Sequence, residues 1–130
     1  GDPAPLWFTR TVDQWLMANL SPQIEDLVAA TGMSARSVER MTKRFYGVSP
    51  KMLARKYRAL RAASALARGV KLDDAALAEA FYDQSHLIRE VKHFAGLTPG
   101  QLAKPSAYTT ATTEGRNRLR GQVSPLITDT

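Results

Sequence analysis

The stretch SARSVERMTKRFYGVSPKML, residues 34–53, recurs 49 positions later as DQSHLIREVKHFAGLTPGQL, residues 83–102. Both copies place an apolar residue, an arginine, a lysine and a phenylalanine in the same order before a glycine, and Ser-Pro or Thr-Pro follows that glycine. A repeat of this length predicts two copies of one supersecondary unit that carry the same kind of surface. Two basic helices at a fixed separation in one molecule suit a periodic polyanion, and the natural candidate is DNA.

The composition of the chain agrees with this interpretation. Its 130 residues carry a formal net charge of +6 and a pI near 10, which fits a nucleic-acid binder. It contains no cysteine, which excludes disulfides and thiolate metal sites. It shows neither a signal-peptide pattern nor an apolar run approaching the roughly 20 residues of a membrane span. We therefore expect a cytoplasmic, nucleoid-associated protein without a membrane partner.

The charges are unevenly distributed along the sequence. Residues 51–71 contain seven basic side chains and no acid: Lys51, Arg55, Lys56, Arg58, Arg61, Arg68 and Lys71. Residues 72–95 contain five acids, which are Asp73, Asp74, Glu79, Asp83 and Glu90, against Arg89 and Lys92. We therefore expect the second basic helix to gain less from an approach to phosphates than the first, and we expect Glu90 to oppose that approach.

Helical spacing and capping signals divide the first half of the chain. Residues 1–8 are predicted to be a tail, and the first copy is predicted to extend over about residues 9–48, with a first helix over 9–20. Ser21, followed by a proline, has the form of an N-cap. Gly32 is expected to end the helix that follows, and Ser34 to cap the next one. The predicted inward positions of the three helices are Val12, Trp15, Leu16, Ile24, Leu27, Val28, Val38, Met41 and Phe45.

The second half follows the same scheme. An alanine-rich connecting helix is predicted over about residues 50–68, with Leu53, Tyr57, Leu60, Ala63 and Leu66 or Ala67 on one face. The second copy, about residues 72–103, is predicted to contain helices over 73–80 and 83–95 and a short helix from Thr98. Residues 104–130 are rich in Ser, Thr and Arg without apolar periodicity, and we expect a flexible basic tail there.

Each copy is thus a pair of helices joined by a tight turn, which is the helix-turn-helix arrangement. With phrases such as MSARSVER, YGVSP and FYDQSHLIREVKHFAGLTP, the chain resembles the DNA-binding domain of AraC/XylS-type transcriptional regulators over about residues 9–103. The most specific signature is the aromatic-x-Asp-Gln-Ser-His of the second copy, followed by Gly-x-Thr-Pro.

The resemblance implies an all-α fold of about seven helices, in which two helix-turn-helix subdomains are joined by a long connecting helix. It implies that one monomer places two recognition helices into successive major grooves on one face of the duplex. It also implies a separate sensing or dimerisation domain, which we expect to be missing from this chain. The family usually has Phe where this chain has Thr42 and Val91, and Gly where it has Ala80. We therefore expect looser packing under both helices and an altered turn in the second copy.

The DNA-contacting residues follow from the resemblance and from the chemistry of the side chains. Arginine pairs bidentately with guanine and glutamine with adenine, and the residues expected to read bases are Arg36, Glu39, Arg40, Gln84, Ser85 and Arg89. Residues deeper in the helices or on the connecting helix are expected to meet phosphates of the double-stranded operator: Lys43, Arg44, Lys51, Arg55, His86 and Lys92.

Some residues have two interpretations. Glu39 could accept a hydrogen bond from a cytosine amino group or could hold Arg36 or Lys43 in place. Asp83 is expected to cap its helix rather than read a base. His86 and His93 lie seven apart on one helix, and without a third ligand nearby they do not predict a metal site.

The sequence shows no catalytic constellation and no phosphate-binding glycine loop, so we expect neither an enzyme nor a cofactor. Two alternatives to sequence-specific regulation remain open at this point. One is a protein-interaction module that holds a partner such as RNA polymerase, which the acid-rich second copy favours. The other is nucleic-acid binding without sequence choice, in which Arg116, Arg118 and Arg120 would matter as much as the recognition helices.

Overall fold

The computed structural model describes residues 3–104, and within that range it shows seven α-helices and no strand. The all-α class and the helix count are therefore confirmed. The chain forms two compact units that divide between Arg55 and Lys56. No helix in the described range is long and apolar enough to cross a membrane. The helices are α1 (Leu6–Ala18), α2 (Ile24–Thr31), α3 (Ala35–Tyr46), α4 (Pro50–Ala67), α5 (Ala75–Ala80), α6 (Gln84–Ala95) and α7 (Pro99–Ala103).

In the first unit, α1 begins at Leu6, so the predicted tail over residues 1–8 is wrong in its last three positions. The reason is Phe8, which is fully buried and whose ring centroid lies 6.4 Å from that of Phe45. Pro5 directly precedes the helix, where its lack of an amide hydrogen costs no helical hydrogen bond. The Pro5 carbonyl accepts a hydrogen bond from the Phe8 amide at 3.0 Å. Phe8 extends the inward stripe that the sequence predicted one turn later, and the buried residues of α1 are Phe8, Val12, Trp15 and Leu16.

The start of α2 also differs from the prediction. The helix begins at Ile24 behind Gln23, which makes no side-chain cap, and Ser21 is not its N-cap. The indole Nε1 of Trp15 donates to the Gln23 carbonyl at 2.7 Å and fixes the chain at this point instead. The end of α2 is as predicted, because Gly32 adopts the left-handed conformation at φ 69°.

The third helix begins and ends at the predicted residues. The Ser34 side chain accepts a hydrogen bond from the Ser37 amide, and Gly47 ends the helix at φ 79°. The inward face is centred differently from the prediction, because Val38 and Thr42 are fully buried whereas Met41 and Phe45 are only half-buried. The Thr42 hydroxyl donates to the Val38 carbonyl at 2.7 Å, so this buried polar group is satisfied within its own helix.

In the second unit, α4 contributes a broad buried face. The predicted residues Tyr57, Leu60, Ala63 and Leu66 are buried, and Ala59 and Ala62 are buried as well. Because alanine side chains are small, neighbouring segments can pack against a wider face of this helix than a single hydrophobic stripe. The helix ends at Ala67, one residue before the predicted end.

Capping side chains set the starts of the last three helices. Asp74 accepts from the amides of Ala76 and Leu77 at the start of α5, and Asp83 accepts from the His86 amide at 2.7 Å at the start of α6. Thr98 and Gln101 form a capping box at α7. The prediction that Asp83 caps its helix is confirmed, and two of the five acids in residues 72–95 are therefore engaged as N-caps.

The turn between α5 and α6 tolerates alanine where a glycine was expected. Ala80 is buried, and Phe81 after it has an extended backbone at φ −124° and ψ 154°. Every residue with positive φ in the described range is a glycine, and none lies in this turn. The second turn thus follows a different backbone path from the first, which uses Gly32, and Ala80 introduces no left-handed strain.

Candidate nucleic-acid interface

The first candidate recognition helix, α3, has a buried inward face and an exposed outward face. Val38 and Thr42 are fully buried one turn apart. At 3.6 residues per turn, Arg36, Arg40 and Lys43 lie on the opposite side of the helix, and all three are exposed. The local fold therefore presents three cations of the first copy to solvent on one face.

Glu39 and Lys43 lie one helical turn apart and form an ion pair at 3.0 Å between Oε1 and Nζ. More than half of each side chain is exposed, at 55% and 58%. An exposed i,i+4 pair contributes only about 0.3–0.5 kcal/mol. The contact agrees with the positioning role that was considered for Glu39, in which it holds Lys43 in place. The ion pair is weak enough for DNA to displace it.

The arginines of α3 differ in their surroundings. The Arg44 guanidinium lies 5.1 Å from the centroid of the Phe45 ring, in cation–π contact. Arg36 and Arg40 form no ion pair with any side chain in residues 3–104. Their guanidinium groups are therefore available for bidentate hydrogen bonds, the geometry by which arginine recognises guanine.

The second candidate recognition helix, α6, repeats this arrangement. Leu87 and Val91 are buried on its inward face, and Ser85, Arg89 and Lys92 are exposed on the opposite side. Lys92 Nζ donates to the Gly96 carbonyl at 3.2 Å, where a cation complements the helix C-terminus. Gln84, also exposed, stands at the first position of the helix.

His86, which was predicted to contact a phosphate, has partners within the protein. Its Nδ1 accepts a hydrogen bond from the Tyr82 amide at 3.1 Å, and its Nε2 lies 3.6 Å from Glu90 Oε1. The ring is half-buried, with its edge toward the Phe81 ring at 5.5 Å between centroids. Both ring nitrogens therefore face internal partners, and the imidazole supports the turn before α6.

Glu90 is the centre of a polar cluster formed by Arg58, Phe81, His86 and Glu90. Only 6% of Glu90 is exposed, and its Oε1 lies 3.5 Å from an Arg58 guanidinium nitrogen. Arg58 also lies over the Phe81 ring at 5.2 Å. The expectation that Glu90 opposes phosphates was therefore wrong, because this carboxylate points into the second unit and is paired there.

The two cations expected to contact phosphates from α4 lie in its first turns. Lys51 is exposed and Arg55, one turn later, is half-buried. The intervening Leu53 and Ala54 are buried, so they define the inner side of this end of the helix. Lys51 and Arg55 are thus on the outer side of α4 within the first unit.

The pKa values of Asp13 and Arg61 are shifted, and neither residue belongs to the predicted DNA-contacting set. Burial raises the pKa of Asp13 on α1 and lowers the pKa of Arg61 on α4. A raised carboxyl pKa stabilises the fold below the unfolded-state value, and this contribution is lost as the pH rises through the folded-state value. The described residues include no group of three His, Cys, Asp or Glu side chains that could hold a metal ion.

Comparison with known proteins places this geometry in a family. A family model described as a helix-turn-helix domain matches residues 27–105, which is more than half of the chain and includes both α3 and α6. No curated protein and no solved structure matched the chain. The matching family is one of DNA-binding regulatory domains and not of enzymes. Since the match covers both basic helices and the seven-helix fold agrees with it, the chain belongs to the AraC-type helix-turn-helix family of DNA-binding transcription regulators.

Proposed function

We propose that this protein binds double-stranded DNA sequence-specifically and uses α3 and α6 as two recognition helices in successive major grooves. One observation carries the proposal. Each helix buries two residues one turn apart, and each presents an exposed arginine on the opposite face at the same position of the repeat, Arg40 in α3 and Arg89 in α6. Two matched outward faces are what two-site reading of a duplex requires.

The side chains divide into two groups by chemistry and position. We propose that the exposed residues in the N-terminal halves of the helices read base edges: Arg36, Glu39 and Arg40 in α3, and Gln84, Ser85 and Arg89 in α6. We propose phosphate contacts for Lys43, Arg44, Lys51, Arg55 and Lys92, which fix the register of the protein on the duplex. His86 is assigned to the support of α6. The DNA-binding region then extends from the start of α1 to about residue 103.

The protein-interaction alternative depended on the acid-rich second copy. Asp74 and Asp83 cap helices, and Glu90 is buried beside Arg58, so most of that acidity is accounted for by the fold. Regulation of transcription would bring RNA polymerase as a second partner on surfaces other than α3 and α6, and a sensing domain would supply control by an effector. The arginines invoked for non-specific binding, Arg116, Arg118 and Arg120, lie outside the described residues.

Selection of bound sites from a random duplex library tests the proposal. We expect enrichment of sequences with two half-motifs about one helical turn apart, because consecutive major grooves on one face of B-DNA repeat at about 34 Å. Footprinting on such a site should show two protected segments per monomer. The matched control is Arg89→Ala, which should lose selection and protection at one half-motif only. Recovery of random sequences, or a single protected segment, would contradict the proposal.

We also expect Arg89→Ala to lose less binding free energy than Arg40→Ala. The outward face of α3 carries further cations around Arg40, whereas Arg89 has Lys92 as its cationic neighbour and Asp83 at the start of its helix. Each cation that meets a phosphate adds a counterion-release term, so the surface around Arg40 gains more. Titration of both variants on one selected duplex at two salt concentrations measures the difference. A larger loss for Arg89→Ala would show that α6 is the stronger reader.

A further inference from the structure

Tyr82 is the most exposed large apolar side chain in the described part of the protein, with 93% of its surface accessible. It lies in the turn before α6, between the buried Phe81 and the capping Asp83. Tyrosine combines an apolar ring with a polar tip and is enriched at surfaces that bind a partner. Both the ring and the hydroxyl of Tyr82 are therefore accessible to a partner that approaches α6.

The backbone that carries Tyr82 is held in place on both sides. The Tyr82 amide donates to His86 Nδ1 at 3.1 Å, and the Asp83 carboxylate accepts from the His86 amide at 2.7 Å. The ring of the preceding Phe81 is buried and lies under the Arg58 guanidinium. A side chain that projects from a fixed backbone loses less conformational entropy on binding than one on a mobile loop.

The first copy lacks this feature. The residue that corresponds to Tyr82 in the repeat is Met33, which is only half-buried and carries no hydrogen-bonding tip. The two turns also differ in backbone path, because the first contains Gly32 in the left-handed conformation and the second contains no such residue. The exposed aromatic is therefore specific to the second copy and is not a by-product of the repeated pattern.

We propose that the Tyr82 hydroxyl donates a hydrogen bond to a backbone phosphate at the edge of the groove that α6 enters, with its ring against the adjacent sugar. This inference rests on the proposed function. A recognition helix enters the major groove by its N-terminal half, so a residue just before the helix lies near the phosphates that line the groove. Tyrosine is among the side chains that contact DNA phosphates, and such contacts fix register without reading sequence.

The proposal distinguishes Tyr82 from a cation in a titration against salt. Tyr82→Phe removes only the hydroxyl, and we expect it to weaken binding about tenfold, the scale of one hydrogen bond to a charged group. The loss should be equal on the selected duplex and on a random duplex. The slope of log affinity against log salt should not change, because a neutral hydroxyl releases no counterion, whereas Lys92→Ala should reduce that slope by about one unit. Tyr82→Ala should weaken binding further.

Fluorescence anisotropy with both duplexes at several salt concentrations measures these quantities, and thermal melting of each variant checks the fold. Trp7→Ala, which removes another exposed aromatic from α1, is the matched control and should bind like the wild type. If the Tyr82 variants bind like the wild type while Arg89→Ala loses affinity, this inference fails and the proposed function stands. A loss confined to the selected duplex would make Tyr82 a base reader and overturn the phosphate assignment. A wild-type protein that bound neither duplex would overturn both.

Discussion

Glu90→Ala is expected to lower the free energy of unfolding by about 3 kcal/mol, at the lower end of the range for breaking a buried ion pair from one side. The substitution leaves the Arg58 guanidinium without its carboxylate, and only 18% of the Arg58 side chain is exposed to water. The remaining contact with the Phe81 ring compensates only in part. The measurement is urea denaturation followed by far-UV circular dichroism.

Glu79→Ala provides the matched control, because Glu79 is an exposed glutamate on α5. Surface substitutions of this kind change stability by about 0.5 kcal/mol or less. Replacing both charges together, as Glu90→Leu with Arg58→Met, should be much less damaging than Glu90→Ala, because no unpaired buried charge remains. If Glu90→Ala is as mild as Glu79→Ala, the polar cluster does not stabilise the second unit. Since Glu90 is buried, Glu90→Gln should not strengthen DNA binding at low salt.

Arg40→Ala is expected to cost about 1–3 kcal/mol of binding free energy on the selected duplex and to relax the preference at one base position. Lys43, one turn along the same face, should behave differently. Lys43→Ala should weaken all sequences about equally and reduce the salt slope by about one unit. The reason is that a guanidinium pairs bidentately with a base edge, whereas an ammonium acts on phosphate as a point charge.

Competition titrations with single-base variants of the selected site, repeated over a range of salt, separate the two outcomes. Arg10→Ala removes an exposed arginine from α1 and is the control for a general loss of positive charge. Uniform loss of affinity in both Arg40→Ala and Lys43→Ala, with specificity unchanged, would mean that Arg40 does not read a base. Glu39, which pairs with Lys43, should be tested in the same series as Glu39→Gln, since a base-reading carboxylate would show a loss at one position.

The boundaries of α3 and α6, the two proposed recognition helices, could be predicted because local chemistry fixes them. Gly47 and Gly96 end α3 and α6 in the left-handed conformation, and Ser34 and Asp83 cap their starts. These signals act within four residues of one another, so they are legible in the sequence. The exposure of the outward arginines was equally predictable, because the 3.6-residue period that buries Val38 places Arg36 and Arg40 on the other side.

The failures have a common physical reason, which is contact between residues far apart in the chain. Phe8 is drawn into α1 by burial beside Phe45, and no local rule places these rings together. Glu90 and Arg58 are separated by a whole helix and two turns, so a count of charges placed Glu90 on the surface. A charge count measures the net field but not which side of a helix a carboxylate occupies.

The sequence by itself determined the repeat, the seven helices, the two basic outward faces and the AraC-type resemblance, because these depend on periodicity and capping within short segments. Only the tertiary structure decided that His86 supports a turn, that Glu90 is a buried partner of Arg58, and that Tyr82 is open to solvent. Those outcomes depend on which side chains fill the small volume under α6, where Phe81 and Glu90 are buried while Tyr82 stays in solvent. Close packing in that volume leaves room for some polar groups and excludes others, and this selection exists only once the helices have come together.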